Sequence, residues 1–266
     1  ALLEEAGIKI PGGKRTLLVP ARNFPVEVLF LRDDDIPESV ASGVADVGIV
    51  GLNEVMEKRC PVGILKKLGF GKCRLSLAIP QDIDYQDRNW FSGKKIATSY
   101  PGILSDYLHK NGIVSDIHVI TGSVEIAPGI RLADAIFDIV SSGSTLVSNR
   151  LKEVETVVES EAVLIGTDSI SPEKRGILDE LLFRFDSVQA ADDKKYILMN
   201  VPQKKLNDVL SVLPGIKSPT VMPLADKEWC SVHTVLDEKC FWEIINRLKT
   251  AGAEGILVLD IEKMIL

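Results

Sequence analysis

The sequence predicts an α/β protein of two similar lobes followed by a ferredoxin-like tail, and three observations predict it. Strand-like and helix-like runs alternate almost throughout the 266 residues, the pattern of α/β architecture. Two segments, "SVASGVADVGIVGLNEVME" and "IRLADAIFDIVSSGSTLVSN", share a plan. Each has a helix rich in Ala and Val or Ile, an aspartate (Asp46 or Asp138), a short apolar strand and a glycine-bearing turn, as two lobes of one design would. The tail runs strand, helix, strand, strand, helix, strand, which is the ferredoxin-like order.

The elements follow along the chain. "TLLVPA" and "VEVLFLR" have the apolar, β-branched content of strands. "DDDIPESVASGVA" opens with acidic residues ahead of a helical stretch, and "DVGIVG" is a short buried strand. "CRLSLAIP" is another strand. "KKIATS", "YPGILSDYLHKNG" and "IHVITGS" form a strand–helix–strand unit, with Pro101 suited to the first helical turn and Gly112 to its end. "IRLADAIF" is expected as helix, "DIVSS" as strand and "TLVSNRLKEVE" as helix. In the tail, "YILMNVP", "SPTVMPLA", "CSVHTVL" and "GILVLDI" are strands, with "KKLNDVLSVLP" and "KCFWEIINRLKTAGA" as the two helices. The expected divisions are a first lobe of residues 1–85 plus about 167–189, a second of 86–166, and a tail of 190–266.

Composition narrows the function classes. At 45% hydrophobic and 26% charged residues, the chain is that of a soluble globular protein. No apolar run approaches the roughly 18 residues of a membrane span, and "ALLEEAGIKI" does not resemble a signal peptide. A net charge of −7 argues against a nucleic-acid binder. An anionic ligand must therefore find a locally positive site or backbone N–H groups. Cys60, Cys73, Cys230 and Cys240 form no close pair, which fits reduced thiols and a cytoplasmic location. His109, His118 and His233 are scattered, so a histidine-based metal site is not expected.

The stretch with the most chemistry is "DIVSSGSTL", residues 138–146. A strand-to-helix turn offers backbone N–H groups that lack helical partners. Ser141, Ser142, Ser144 and Thr145 add hydroxyls, and Gly143 allows a close approach of backbone to ligand. No Lys follows the glycine as in a Walker loop, and a single glycine does not make a dinucleotide fingerprint. A serine N-cap exposed to solvent is the alternative. Asp138 and Glu125 are placed to contact ribose hydroxyls or a metal-bound water. Ser99 and Tyr100 open another strand-to-helix turn, and Arg15, Arg22, Arg32 and Arg74 are available to neutralise phosphates. No Ser–His–Asp or Cys–His arrangement suggests a covalent mechanism.

"LRDDDIPESVASGVADVGIVG", "GFGKCRLSLAIP", "GKKIATSYP", "GSVEIAP", "LADAIFDIVSSGSTL" and "SPTVMPLA…GILVLDIEKMI" together resemble the long form of the ATP phosphoribosyltransferase family, in order and over essentially the whole chain. The resemblance implies two lobes related to periplasmic-type binding proteins around a catalytic cleft, then a ferredoxin-like regulatory domain. It implies phosphoribosyl pyrophosphate held by Glu125, Asp138, Ser141, Ser142, Gly143, Ser144 and Thr145. It places ATP near Asp46, Gly51, Arg74 and Tyr100, with Arg15 and Arg32 as catalytic cations. Mg²⁺ is expected to arrive on the substrate, with no metal ligand assigned to the protein. Histidine is the expected inhibitor, at Asn200, Ser218, Thr220, Val235 and Gly255, and dimers building to a hexamer are the expected assembly. Family members also carry a strand and a basic "KGR"-like segment ahead of the residue that stands first here. Arg131 occupies a position where the family more often has glycine. A two-lobed binding protein without catalysis is the alternative function.

Overall fold

The computed structural model describes residues 2–11, 17–214 and 219–266. In chain order the elements are α1 (Leu2–Glu5), β1 (Leu18–Pro20), β2 (Glu27–Leu29), α2 (Ile36–Ala41), β3 (Val47–Gly51), α3 (Leu52–Lys58), β4 (Gly63–Lys67) and β5 (Cys73–Pro80). Then come β6 (Lys95–Thr98), α4 (Pro101–Lys110), β7 (Asp116–Val119), β8 (Ala135–Val140), α5 (Ser144–Ser148), β9 (Leu151–Ser160), β10 (Ala162–Gly166) and α6 (Pro172–Ala191). The tail holds β11 (Lys194–Pro202), α7 (Leu206–Val212), β12 (Thr220–Pro223), β13 (Trp229–Asp237), α8 (Glu238–Ala251) and β14 (Glu254–Asp260).

The chain divides into two units. One contains Glu27–Arg175; the other contains Pro20–Val26 and Gly176–Leu266 together with the N-terminal segment. The first unit has a five-stranded sheet, order β7-β6-β8-β5-β9, and a three-stranded sheet, order β3-β10-β4. In the larger sheet β6 pairs parallel with β7 and β8, whereas β5 pairs antiparallel with β8 and β9. Alternation along β5 buries Leu75, Leu77 and Ile79 on one face, where Phe91, Phe137 and Leu104 of α4 cover them. Ala78 points to the other face and joins Ile136, Val140 and Leu146. The small sheet packs Val50, Val163 and Ile165 against Val40 of α2.

The second unit contains the ferredoxin-like domain. Its sheet order, β12-β13-β11-β14, is antiparallel throughout. Helices α7 and α8 cover one face through Val209, Phe241, Ile244 and Leu248, packed on Ile197, Met199 and Val232. Gly252, just past α8, sits at the helix C-terminus in the left-handed region, the usual way to end a helix.

Four expectations need correction. "IRLADAIF" is not helical: residues 130–134 turn and β8 begins at Ala135. Its apolar spacing suits a helix, but Ala135, Ile136 and Phe137 lie in the centre of the sheet, buried on both faces, and that environment overrides local propensity. The proposed internal echo fails with it, because Asp138 lies inside β8 whereas Asp46 precedes β3. "TLVSNRLKEVE" is helical only to Ser148 and then becomes β9. The lobe boundary also differs. β5 belongs to the larger sheet, so that sheet begins at Cys73 and not after residue 85, while β10, inside the expected second lobe, returns to the smaller sheet. Residues 176–189, expected with the first lobe, group with the tail.

Candidate active site

The turn after β8 is the local centre of the candidate site. Gly143 has φ +79° and ψ 0° and is the N-cap of α5. Left-handed backbone at this point costs a glycine nothing and any β-carbon residue something. The Ser142 and Ser144 hydroxyls lie 3.0 Å apart, and the Ser144 N–H donates to the Ser142 hydroxyl at 3.4 Å. Thr145 lies in the first turn of α5, and its carbonyl accepts from the Asn149 carboxamide at 2.9 Å.

Asp138 and Glu125 share one environment. Asp138 is half-buried in β8, and its carboxylate accepts from the Ile139 N–H at 2.8 Å. Burial raises its pKa above the ordinary carboxylate value, the Ile139 bond opposes that, and the charge of Glu125 raises it further. Glu125 lies in a 3-10 turn, Val124–Ile126.

Arg74 is committed to protein groups. Its Nε and Nη2 donate to the two oxygens of Glu153 at 2.6 and 2.5 Å, and its Nη1 donates to the Ser141 carbonyl at 3.1 Å. Glu153 also accepts from the hydroxyls of Ser76 and Thr156. These donors, Arg74 first, hold its pKa down to about 2. A cleft of about 550 Å³ opens beside this pair, its lining including Lys67, Lys72, Arg74, Ser141, Glu159 and Glu161.

A buried polar network joins α3 to the start of α4. The Tyr100 hydroxyl donates to Glu54 at 3.0 Å, and the Asn53 carboxamide N–H donates to Glu54 at 3.0 Å and reaches the Tyr100 hydroxyl at 3.3 Å. The Ser160 hydroxyl donates to Asn53 at 2.8 Å. A β-carbon on Gly51 would run into the Asn53 carboxamide. Burial and then the Glu54 carboxylate raise the Tyr100 pKa, with a smaller contribution from the charge of Asp138. Nearby, Glu57 accepts from the N–H groups of Gly102 and Ile103 at 2.8 and 2.9 Å, capping α4 from α3.

Burial, the main cause, and the charges of Asp33 and Asp34 raise the Glu54 pKa, and the Tyr100 bond only partly opposes them. Folded protein thus holds this proton more tightly than unfolded chain. The associated stability is complete below the unfolded carboxyl pKa and is lost as pH rises through the raised folded value. Glu54→Gln keeps the acceptor oxygen and removes the charge. We expect its thermal midpoint to exceed the parent's at pH 8 by about 2–4 °C, and the difference to vanish by about pH 4, measured by circular dichroism at both values.

The charge of Glu125 acts on Asp138 and that of Asp138 acts weakly on Tyr100, and Arg74 is tied to Ser141. Both Asp46 oxygens accept from Lys174, at 2.8 and 2.9 Å. Arg32 is exposed ahead of the Asp33–Asp35 turn, and its Nε donates to Asp34 at 3.3 Å. Arg15 and Ser218 lie outside the described residues. Arg131 has φ +60°, which gives a physical reason for glycine to be favoured there. Asn53, Glu54, Ser160 and Glu153 were not expected. Asn53 and Glu54 stand just after Gly51, a turn signal, but nothing local marks their partners.

In the tail, Asn200, Thr220 and Val235 project to the open face of the sheet, opposite the helices. Register decides this: Asn200 pairs with Ser231, Thr220 with His233, and Tyr196 with Val235. Gly255 adjoins them, with φ +55°, and a β-carbon there would meet the Asn200 carboxamide nitrogen at 3.4 Å. On the same face, His233 bonds Tyr196 at 2.7 Å through Nδ1 and Ser231 at 2.9 Å through Nε2.

A cleft lined by charged side chains of both signs, beside a glycine-bent strand-to-helix turn that carries hydroxyls, suits an α/β enzyme acting on a polar ligand. Known proteins narrow the class. The family model described as ATP phosphoribosyltransferase matches residues 32–187, and that described as HisG, C-terminal domain, matches 191–263. An ATP phosphoribosyltransferase of Bacteroides fragilis is 70% identical over 266 residues, covering 100% of this chain and 94% of its own. One from Cytophaga hutchinsonii is 57% identical over 264 residues, covering 99% of this chain and 92% of its own. Among solved structures, the ATP phosphoribosyl transferase (HisG:HisZ) complex from Thermotoga maritima matches with a TM-score of 0.59 at 24% identity. It covers 69% of this chain and 90% of that one, a likeness of fold. The chain belongs to the ATP phosphoribosyltransferase family, whose members are pentosyltransferases of histidine biosynthesis. Among the described residues, no helix is long and apolar enough to cross a membrane.

Proposed function

We propose that the chain joins N1 of the ATP adenine to C1 of phosphoribosyl pyrophosphate, with the turn at residues 141–145 holding the 5′-phosphate. Identity of 70% with a curated family enzyme over the whole chain is the observation that carries the reaction. The N1 lone pair forms the new bond to C1 as the C1–oxygen bond breaks, and its electrons leave with pyrophosphate. N1 needs no strong base to attack, so positioning and electrostatics supply the catalysis. The turn holds the sugar still through main-chain N–H groups and the hydroxyls of Ser144 and Thr145. Asp138 and Glu125 take the ribose hydroxyls.

Among the described residues, no group of three or more His, Cys, Asp or Glu side chains could hold a metal. Mg²⁺ suits such a site when it arrives on a diphosphate and needs only one or two carboxylates from the protein. Asp138 and Glu125 are the pair that would receive it, directly or through water. Held there, Mg²⁺ would supply neutralisation of charge on the leaving diphosphate. Arg15, Arg32 and Tyr100 remain our candidates for the ATP side, with Gly51 keeping the α3 turn open.

For the tail, we propose a histidine sensor at Asn200, Ser218, Thr220, Val235 and Gly255. Inhibition requires that histidine bind the inactive arrangement more tightly than the active one. The Thermotoga maritima relative is solved as a HisG:HisZ complex, and we infer a homo-oligomer here, dimers building to a hexamer. The reaction is assigned to the cytoplasm, in keeping with the four unpaired thiols.

The test is incubation with ATP, phosphoribosyl pyrophosphate and Mg²⁺, following pyrophosphate release and a new ultraviolet absorbance. Binding of both substrates without pyrophosphate release would reject the reading.

A further inference from the structure

We propose that Arg74 and Glu153 form a strut that sets the first peptide of the phosphate turn, making Arg74 a positioning residue for phosphoribosyl pyrophosphate and not a contact for ATP. The inference rests on the assignment of residues 141–145 to the 5′-phosphate.

The geometry is a three-point clamp. Glu153 takes two prongs of the guanidinium, at 2.6 and 2.5 Å, in the bidentate arrangement that also fixes orientation. The third prong, Nη1, reaches the Ser141 carbonyl at 3.1 Å. Ser76 and Thr156 donate their hydroxyls to the same Glu153 oxygen, at 2.7 and 3.1 Å, so the carboxylate is anchored on three sides. Against β5, β9 slips register twice, between Leu75 and Ser76 and between Leu77 and Ala78. Glu153 sits in that stretch, and such bulges re-aim side chains. The carboxylate stays ionised across the physiological range, since its donors hold it near pKa 2. Glu153 thus keeps the charge that the guanidinium pairs with near neutral pH.

What the clamp sets follows from peptide geometry. A trans peptide is planar, so the N–H of one residue points opposite to the carbonyl of the residue before it. With the Ser141 carbonyl held by Arg74, the Ser142 N–H must point away from Arg74. The next residue but one on from Ser141 is Gly143, whose left-handed backbone continues the turn. Losing the clamp frees the Ser141–Ser142 peptide to rotate, and a donor is lost from the phosphate turn. Each nitrogen of Arg74 already donates to a protein oxygen, three of its five N–H groups in all, so the protein fixes the guanidinium in place and its role is to position the turn.

The experiment compares Arg74→Met, Arg74→Lys, Glu153→Gln and the Met/Gln double variant with the parent, in the full chain, by steady-state pyrophosphate release. We expect KM for phosphoribosyl pyrophosphate to rise about 10- to 100-fold in Arg74→Met and in the same direction in Glu153→Gln. KM for ATP stays within about twofold in each. The double variant is no worse than Arg74→Met alone, because both changes remove one device. Lysine does not rescue, since an ammonium cannot span carboxylate and carbonyl with a fixed fork. A raised KM for ATP with an unmoved KM for phosphoribosyl pyrophosphate overturns the proposal, as does an additive double variant or full rescue by lysine. If Arg74→Met does not fold, the near-isosteric Glu153→Gln decides by the same two KM values. Gly143→Val, run alongside, separates the two levels. If it keeps the parent's kinetics, the phosphate assignment itself fails. If it loses them while the strut variants do not, only the strut falls.

Discussion

Gly143→Val is expected to lower turnover about 100- to 1,000-fold, the cost of removing one preorganised donor from a charged transition state, while the protein stays folded. Space is not the obstacle. The nearest atom to an added β-carbon is Cγ1 of Val140 at 3.9 Å, an ordinary contact. Conformation is. At φ +79° a β-branched side chain is strained by about 1–2 kcal/mol or more, and the turn relieves that strain by rotating its peptides. The hydroxyl pairing of Ser142 with Ser144 and the direction of the N–H groups around it change together. Because the turn lies at the surface, above the buried Val140 and Leu146, the core does not have to move. Circular dichroism should therefore show a midpoint within a few degrees of the parent, about the shift of 1–2 kcal/mol in a chain of this size. Thr145→Ala is the companion variant, with loss of a hydroxyl and no backbone change, and should show a smaller fall in kcat. Near-normal kinetics in a folded Gly143→Val protein would remove the turn from the chemistry.

What the sequence made legible was local. β5 could be bounded from "CRLSLAIP" because its alternation and its ends coincide. Helix α4 was marked at its start by Pro101. The ferredoxin-like order was visible because each of its six elements carries its own periodicity. Failures came where distant partners decide. Val147, Leu151 and Val154 are spaced as on a helix face, yet Leu151–Ser160 is a strand. Its acidic residues are accounted for by partners more than 45 residues away, Arg74 and Ser76 for Glu153, Tyr85 and Tyr107 for Glu155. Asp46, expected near ATP, pairs with Lys174, 128 residues on, a partner that nothing local marks. Arg74 reads as a cation beside a turn, and only the structure shows each of its nitrogens donating to a protein oxygen. Residue type and spacing announce a turn such as 141–145. They do not announce which charges are already spent on the protein itself.

Histidine should lose at least about tenfold in inhibitory potency against Gly255→Val, a change of about 1.4 kcal/mol in its binding. The argument begins with backbone. Gly255 has φ +55° at the start of β14, the strand that flanks β11 at the sheet edge. Valine there is strained, and its β-carbon approaches the Asn200 carboxamide nitrogen to 3.4 Å, before its two methyl groups are counted. The open face loses both shape and its amide donor. Neighbouring groups cannot adapt readily: Tyr196, His233 and Ser231 are linked by two hydrogen bonds, so the floor of the face is already ordered. An amino acid ligand needs partners for an ammonium, a carboxylate and an imidazole, and the side chains of Asn200 and Thr220 are the polar ones among the described candidates on this face. Asn200→Ala should therefore act in the same direction without backbone strain, which separates lost contact from distorted strand. Calorimetric titration with histidine, beside inhibition of pyrophosphate release, measures affinity and its coupling to catalysis separately. Parent-like affinity in both variants would move the sensor elsewhere. Parent-like affinity lost without any change in inhibition would break the link between this face and the reaction, because a ligand alters a distant activity only through a difference in its affinity for the two states.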